Sequence, residues 1–251
     1  MTTLAVENTM QTAEEKLARR FKRVRIALMR SPQFMACGPV MMLGTNTIDD
    51  HTPTAYTNGR DEVYGRAFIE SLDDKELGFV IMHETFHKMC RHMTTYQSLW
   101  KLDAQRTNMA TDYWINQKLH DADPEHKVIA MPMRDGKQVG LYDPQYKGMS
   151  VKQIWDLLKD EEQEGGWPRR KGGEGGKGGG GEDGGLDTHD WEGASDMGKE
   201  EVDKLARDID QAIRQGQMAA DKLGGKQSRA LGELLEPPPK VDNQQPSLIE
   251  R

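Results

Sequence analysis

Twelve of the chain's 26 glycines fall between residues 165 and 185, and Trp167 is the one large apolar side chain in that stretch. A segment of this composition cannot bury enough surface to offset its ordering entropy, so it divides the 251-residue chain. The expected organisation is a folded domain over residues 12–160, a flexible linker over 161–186, a helical appendage over 187–236 and a disordered tail over 237–251. A domain of about 150 residues is long enough for a real hydrophobic core.

Within that domain, Thr12-Ala-Glu-Glu15 has capping-box spacing. Leu17, Phe21, Val24 and Leu28 then form one apolar stripe, which predicts a helix from Thr12 to about Arg30, before Pro32. Its Arg and Lys residues read as a solvated face. Short β-like pieces are expected at residues 40–43, 54–56 and 62–64, with Asn58-Gly59 as a hairpin turn. A second helix should start at a Ser71 N-cap and run to about Arg91, with Leu77, Val80, Ile81, Phe86 and Met89 buried. A third spans about 103–119. Residues 127–146 read as irregular with short strands, and 150–158 as a short amphipathic helix. Beyond the glycines, helices are expected at 199–216 and 228–235.

The second helix contains His83-Glu84-Thr85-Phe86-His87, an HExxH pattern. Two histidines four apart lie about 40° apart around a helix axis, so both imidazoles can address one ion. Glu84 between them can reach a water on that ion as general base. A catalytic zinc site needs a third protein ligand. His92, nine residues after His83, would face the other way unless the helix ends after Met89, and it misses the longer HExxHxxGxxH spacing. Asp112 is the better candidate. It lies in a polar stripe with Asn108 and Asn116 on the third helix, and burying such a stripe requires partners. The expectation is therefore Zn²⁺ on His83, His87 and Asp112, with Asn116 or Asn108 supporting. Tyr113, Tyr64, Tyr96 and His92 are alternative donors to a developing oxyanion. His189, in Thr188-His-Asp-Trp191, could fold back as an inhibitory ligand, although a docking patch anchored by Trp191 is the preferred reading.

Composition narrows the classes further. Two cysteines, Cys37 and Cys90, exclude a disulfide framework and fit a reducing compartment. The net charge of −7 argues against bulk nucleic-acid binding. No apolar run reaches membrane-spanning length and the first residues do not read as a signal peptide, so a cytoplasmic location is expected.

These features, in this order, resemble the bacterial and phage "putative metallopeptidase domain" family, over about residues 17–235. Thr57-Asn-Gly-Arg60 resembles the family's Thr-Asp-Gly turn, with Asn in place of Asp. His83-Glu-Thr-Phe-His87 with Arg91-His92 matches its HExxH helix, and Ala110-Thr-Asp-Tyr-Trp-Ile-Asn116 its Ala-x-Asp-Tyr-x-Ile-Asn segment. The stretches 141–149 and 154–158, a Gly-rich break and a His-Asp-x-Trp-like patch follow. The resemblance implies an α+β zincin-like fold, with His83 and His87 as ligands and Glu84 as catalytic base. It also favours Asp112 and Asn116 as site residues. Longer relatives continue into a von Willebrand factor A-like domain. The function expected is zinc-dependent hydrolysis of a protein or peptide substrate. The rival is a non-catalytic, zinc-stabilised scaffold recruiting a protein partner, such as an AAA+ ATPase of the kind encoded beside relatives.

Overall fold

The computed structural model describes residues 2–163 and 189–222. Most of the linker, the 228–235 helix and the 237–251 tail fall outside these residues. The fold is helix-rich α+β with two small sheets.

The first helix, α1, spans Thr2–Arg30, ten residues earlier than the Thr12 start expected from the capping box. Neither Gly nor Pro interrupts residues 1–30, so nothing stops the helix from including that box. Leu17, Phe21, Val24 and Leu28 are buried along one side, as the stripe requires. The basic side chains work within the molecule: Arg20 binds Asp74 (2.7 Å) and the Ile69 and Leu72 carbonyls, and Arg23 also meets Asp74. A 3₁₀ turn at Met35–Cys37 leads into the short α2, Gly38–Met41. Here the β-like reading of residues 40–43 fails, because Pro39 sits in the first turn of α2 with its φ already suited to a helix.

Three strands follow, β1 (Asn46–Asp49), β2 (Ala55–Thr57) and β3 (Glu62–Gly65), in the spatial order β1-β3-β2. β1, whose Asn-Thr-Ile-Asp lacks apolar alternation, pairs parallel with β3. β2 pairs antiparallel with β3 through the Asn58-Gly59 turn, where Asn58 Oδ1 accepts the Arg60 and Asp61 amides and Gly59 takes φ 92°.

Ser71 does not cap the next long helix. It ends a short one, α3 (Arg66–Ser71), and α4 runs Asp74–Met89 from an Asp73 N-cap. The Asp73 carboxylate accepts the Lys75 and Glu76 amides, and Glu76 returns a bond to the Asp73 amide; this reciprocal box lies nearer the helix than the serine. Every residue from Leu77 to Met89 is buried. The helix stops at Met89, and Arg91 takes a left-handed conformation (φ 54°) that turns the chain.

Short helices α5 (His92–Thr95) and α6 (Gln97–Leu102) precede α7 (Ala104–Ala122), which Asp103 caps. Strands β4 (Met133–Arg134) and β5 (Lys137–Gln138) form the second sheet, and α8 spans Val151–Gln163. After the undescribed segment come α9 (Trp191–Ser195) and α10 (Lys199–Lys222). α10 continues past Gly216, where the pattern suggested an end. That glycine is a close-approach site instead: a Cβ there would lie 1.8 Å from the Ala36 carbonyl oxygen. Trp191, Ala194, Ala212 and Ala220 join the same apolar core as α4 and α7. No helix among the described residues is long and apolar enough to cross a membrane.

Candidate metal centre

The site is built where α4, α7 and the residues just before α9 meet. Positions 83, 84 and 87 lie on α4, Asp112 on the facing side of α7, and His189 two residues before Trp191. His83, Glu84 and His87 are 0% exposed, Asp112 1% and His189 7%, so these polar groups sit inside the protein.

Their ligand-capable atoms converge. His83 Nε2 and His87 Nε2 are 3.1 Å apart. Asp112 Oδ1 lies 3.6 Å from His83 Nε2, 3.3 Å from His87 Nε2 and 3.5 Å from His189 Nε2. One ligand atom from each of the four residues falls within 4.8 Å of every other. Metal–ligand bonds of ~2.0–2.1 Å in a tetrahedron give ligand–ligand edges of about 3.3–3.4 Å, close to these spacings.

The supporting hydrogen bonds orient the rings. Asn116 Nδ2 donates to the Leu141 carbonyl (2.8 Å), which leaves its Oδ1 facing His83 Nδ1 at 2.8 Å. His83 therefore carries its proton on Nδ1 and presents a lone pair at Nε2, the arrangement in which a second partner fixes a ligand's tautomer. His87 Nδ1 lies 3.3 Å from His92 Nδ1, so His92 can take the equivalent part for His87. It does so because α4 ends at Met89 and the left-handed Arg91 swings His92 back to the same side. Burial, with His189 nearby, holds His87 well below the ordinary imidazole pKa and pushes His92 down to about 3. Burial alone would raise the Asp112 carboxyl, but the imidazoles of His189, His83 and His87 hold it well below the usual carboxylate range.

Two imidazole lone pairs 3.1 Å apart repel each other unless a proton or cation lies between them. Asp112 Oδ1 and both ring nitrogens of His189 are buried with no hydrogen-bond partner. Buried polar atoms of this kind are rare in folded proteins. A divalent cation among three imidazoles and a carboxylate would satisfy Asp112 Oδ1 and one ring nitrogen of each histidine, so the donor set fits a metal ion.

The remaining candidates lie around this group. Asn108 Oδ1 accepts the Trp191 indole N–H at 2.5 Å, which ties it to the docking of the His189 segment. Tyr113 packs on Tyr146 with ring centroids 4.6 Å apart and planes tilted by 56°, about 100° around α7 from Asp112. The Tyr96 ring packs on His92. Tyr64 donates to Glu62 Oε2 (2.7 Å), and Glu62 Oε1 pairs with Lys88 Nζ at 2.6 Å, all three being fully buried. Sequence reasoning missed this pair. Its only trace was a lysine directly after a ligand-type histidine, in a helix with apolar residues on all sides.

A family model described as "Putative metallopeptidase domain" matches residues 20–245. The chain belongs to that family. No curated protein and no solved structure matches it. In this metallopeptidase family member, the buried His/His/Asp/His group is a possible binding place for a metal ion.

Proposed function

We propose that the protein is a zinc-dependent peptide-bond hydrolase of the HExxH, zincin-like type, within a domain covering about residues 12–160. One observation carries this reading: His83 Nε2, His87 Nε2 and Asp112 Oδ1 meet within 3.6 Å of one another, with Glu84 on the same turn of α4. Imidazole and carboxylate donors at tetrahedral spacing suit zinc.

A bound zinc ion would supply Lewis acidity, polarising the scissile carbonyl and acidifying water. The chain's own residues do the rest. Asn116 keeps the His83 lone pair aimed inward, and His92 does the same for His87. Glu84, buried beside them, takes a proton from the attacking water and passes it to the leaving amine. The edge of β2 offers backbone groups along which an extended peptide can lie as an added strand.

Glu84→Gln tests this. It should lower peptide hydrolysis by 10²-fold or more while metal content and thermal stability stay at wild-type values. Hydrolysis equal to wild type removes Glu84 from the chemistry.

The closeness of His189 favours a second reading. Four protein ligands close a zinc site, as in structural centres, and the protein would then be a metal-stabilised scaffold that recruits a protein partner. That reading predicts metal uptake and no hydrolysis in either form.

A further inference from the structure

We propose that His189 is a removable fourth ligand and that residues 189–195 occupy the place of a bound peptide. The inference rests on the peptidase reading above and names the control of that site.

His189 stands where chemistry would have to happen. Its Nε2 is 3.5 Å from Asp112 Oδ1 and its Nδ1 3.7 Å from Glu84 Oε2, so the ring fills the space between the carboxylate ligand and the general base. It also lies against the His87 ring, with centroids 3.8 Å apart. A water poised for attack needs that same space. With His83, His87 and Asp112 at most 1% exposed, no peptide carbonyl reaches them while His189 is in place.

The backbone that follows imitates a substrate. The Asp190 amide donates to the Thr57 carbonyl at the open edge of β2 (3.2 Å), which is the bond an added strand would make. Next to it Trp191 is an anchor, 1% exposed, stacked on Trp100 at 6.1 Å and 9°, its indole held by Asn108. Gln97 secures the far end, taking the Ser195 hydroxyl at 2.9 Å. The segment is thus held by one edge-strand bond, one aromatic anchor, the Gln97 side chain and one imidazole. These are few and local ties, which a competing peptide or partner can replace one for one. Release exchanges His189 Nε2 for a water and breaks no covalent bond.

The test uses the full chain loaded with Co²⁺, comparing wild type, His189→Ala and Trp191→Ala. Metal per chain, the visible Co²⁺ spectrum and its response to acetohydroxamate are measured, with peptide hydrolysis as a separate arm. All three proteins should hold one ion per chain. Acetohydroxamate should bind His189→Ala at least tenfold more tightly than wild type, with Trp191→Ala in between. Trp191→Ala keeps all four ligands, so its shift reports release even where His189→Ala folds poorly. Equal affinity in all three overturns the removable cover, and so does loss of the ion from folded His189→Ala, which would make His189 a permanent ligand. Tighter hydroxamate binding without hydrolysis in any form leaves the cover standing and removes the peptidase reading. Absence of metal from wild type removes both.

Discussion

Lys88 Nζ lies 2.6 Å from Glu62 Oε1, with both side chains wholly inside the protein. Lys88 also donates to the Leu43 carbonyl (3.0 Å), and Glu62 Oε2 accepts from Tyr64. The pair joins α4, one residue after His87, to β3, the central strand of the three-stranded sheet. It therefore sets where the helix bearing the candidate ligands stands relative to the strand that carries β2 and its open edge. Breaking a buried pair from one side leaves an uncompensated charge, a cost of about 3–5 kcal/mol. Lys88→Met should thus be strongly destabilised in urea unfolding at pH 7. The double variant Lys88→Met/Glu62→Gln should recover most of the loss. A single variant as stable as wild type contradicts this account.

Asn116 acts on the candidate metal only through His83. Removing a group that orients a ligand typically weakens metal binding 10–100-fold. Asn116→Ala should show a loss of that size in competition with a chromophoric chelator, with helix content unchanged. Unaltered affinity would show that the 2.8 Å contact does not orient the ring.

The metal-free protein should be acid-sensitive. His92 is pushed from 6.5 down to about 3 by burial and the neighbouring His189, and His87 is lowered in the same direction. Below about pH 6.5 the unfolded chain takes up protons that the folded one refuses, so stability is fullest above that pH. It then falls towards pH 3 by up to ~1.4 kcal/mol per unit for each such group. Asp112, held below 3.8, adds a loss of the same sign at the acid end. Urea midpoints measured after chelation should decline steadily from pH 7.5 to 4.5; a flat profile argues against neutral buried imidazoles.

Gly216→Ala should cost about 1–3 kcal/mol, because the added methyl would overlap the Ala36 carbonyl oxygen and push α10 off the Met35–Cys37 turn. Thermal denaturation would read this as a lower midpoint. An unchanged or raised midpoint, as expected for an exposed helical glycine, would refute the close packing.

Much of the helical framework was readable from spacing. The stripe Leu17-Phe21-Val24-Leu28 is buried because 3.6-residue periodicity maps directly onto a helix face, and the run Leu77 to Met89 is buried on all sides because its apolar residues surround the helix. Boundaries were less readable. Thr12 and Ser71 are good caps in isolation, but an uninterrupted helix absorbed the first and the Asp73–Glu76 box displaced the second. β1 was invisible because a short parallel strand is held by its partner and not by a pattern of its own.

Chain order alone settles that two imidazoles and a carboxylate share one turn of α4, since helix geometry is local. It also makes a polar stripe on α7 conspicuous, because such a stripe is costly to bury. Everything that joins segments distant along the chain was decided by packing. That includes Asp112 reaching both histidines, a left-handed Arg91 returning His92 to His87, and Lys88 pairing with Glu62. It includes above all His189, 102 residues beyond His87, lying against its ring. No local propensity encodes such a meeting; it follows from which buried surfaces close against one another.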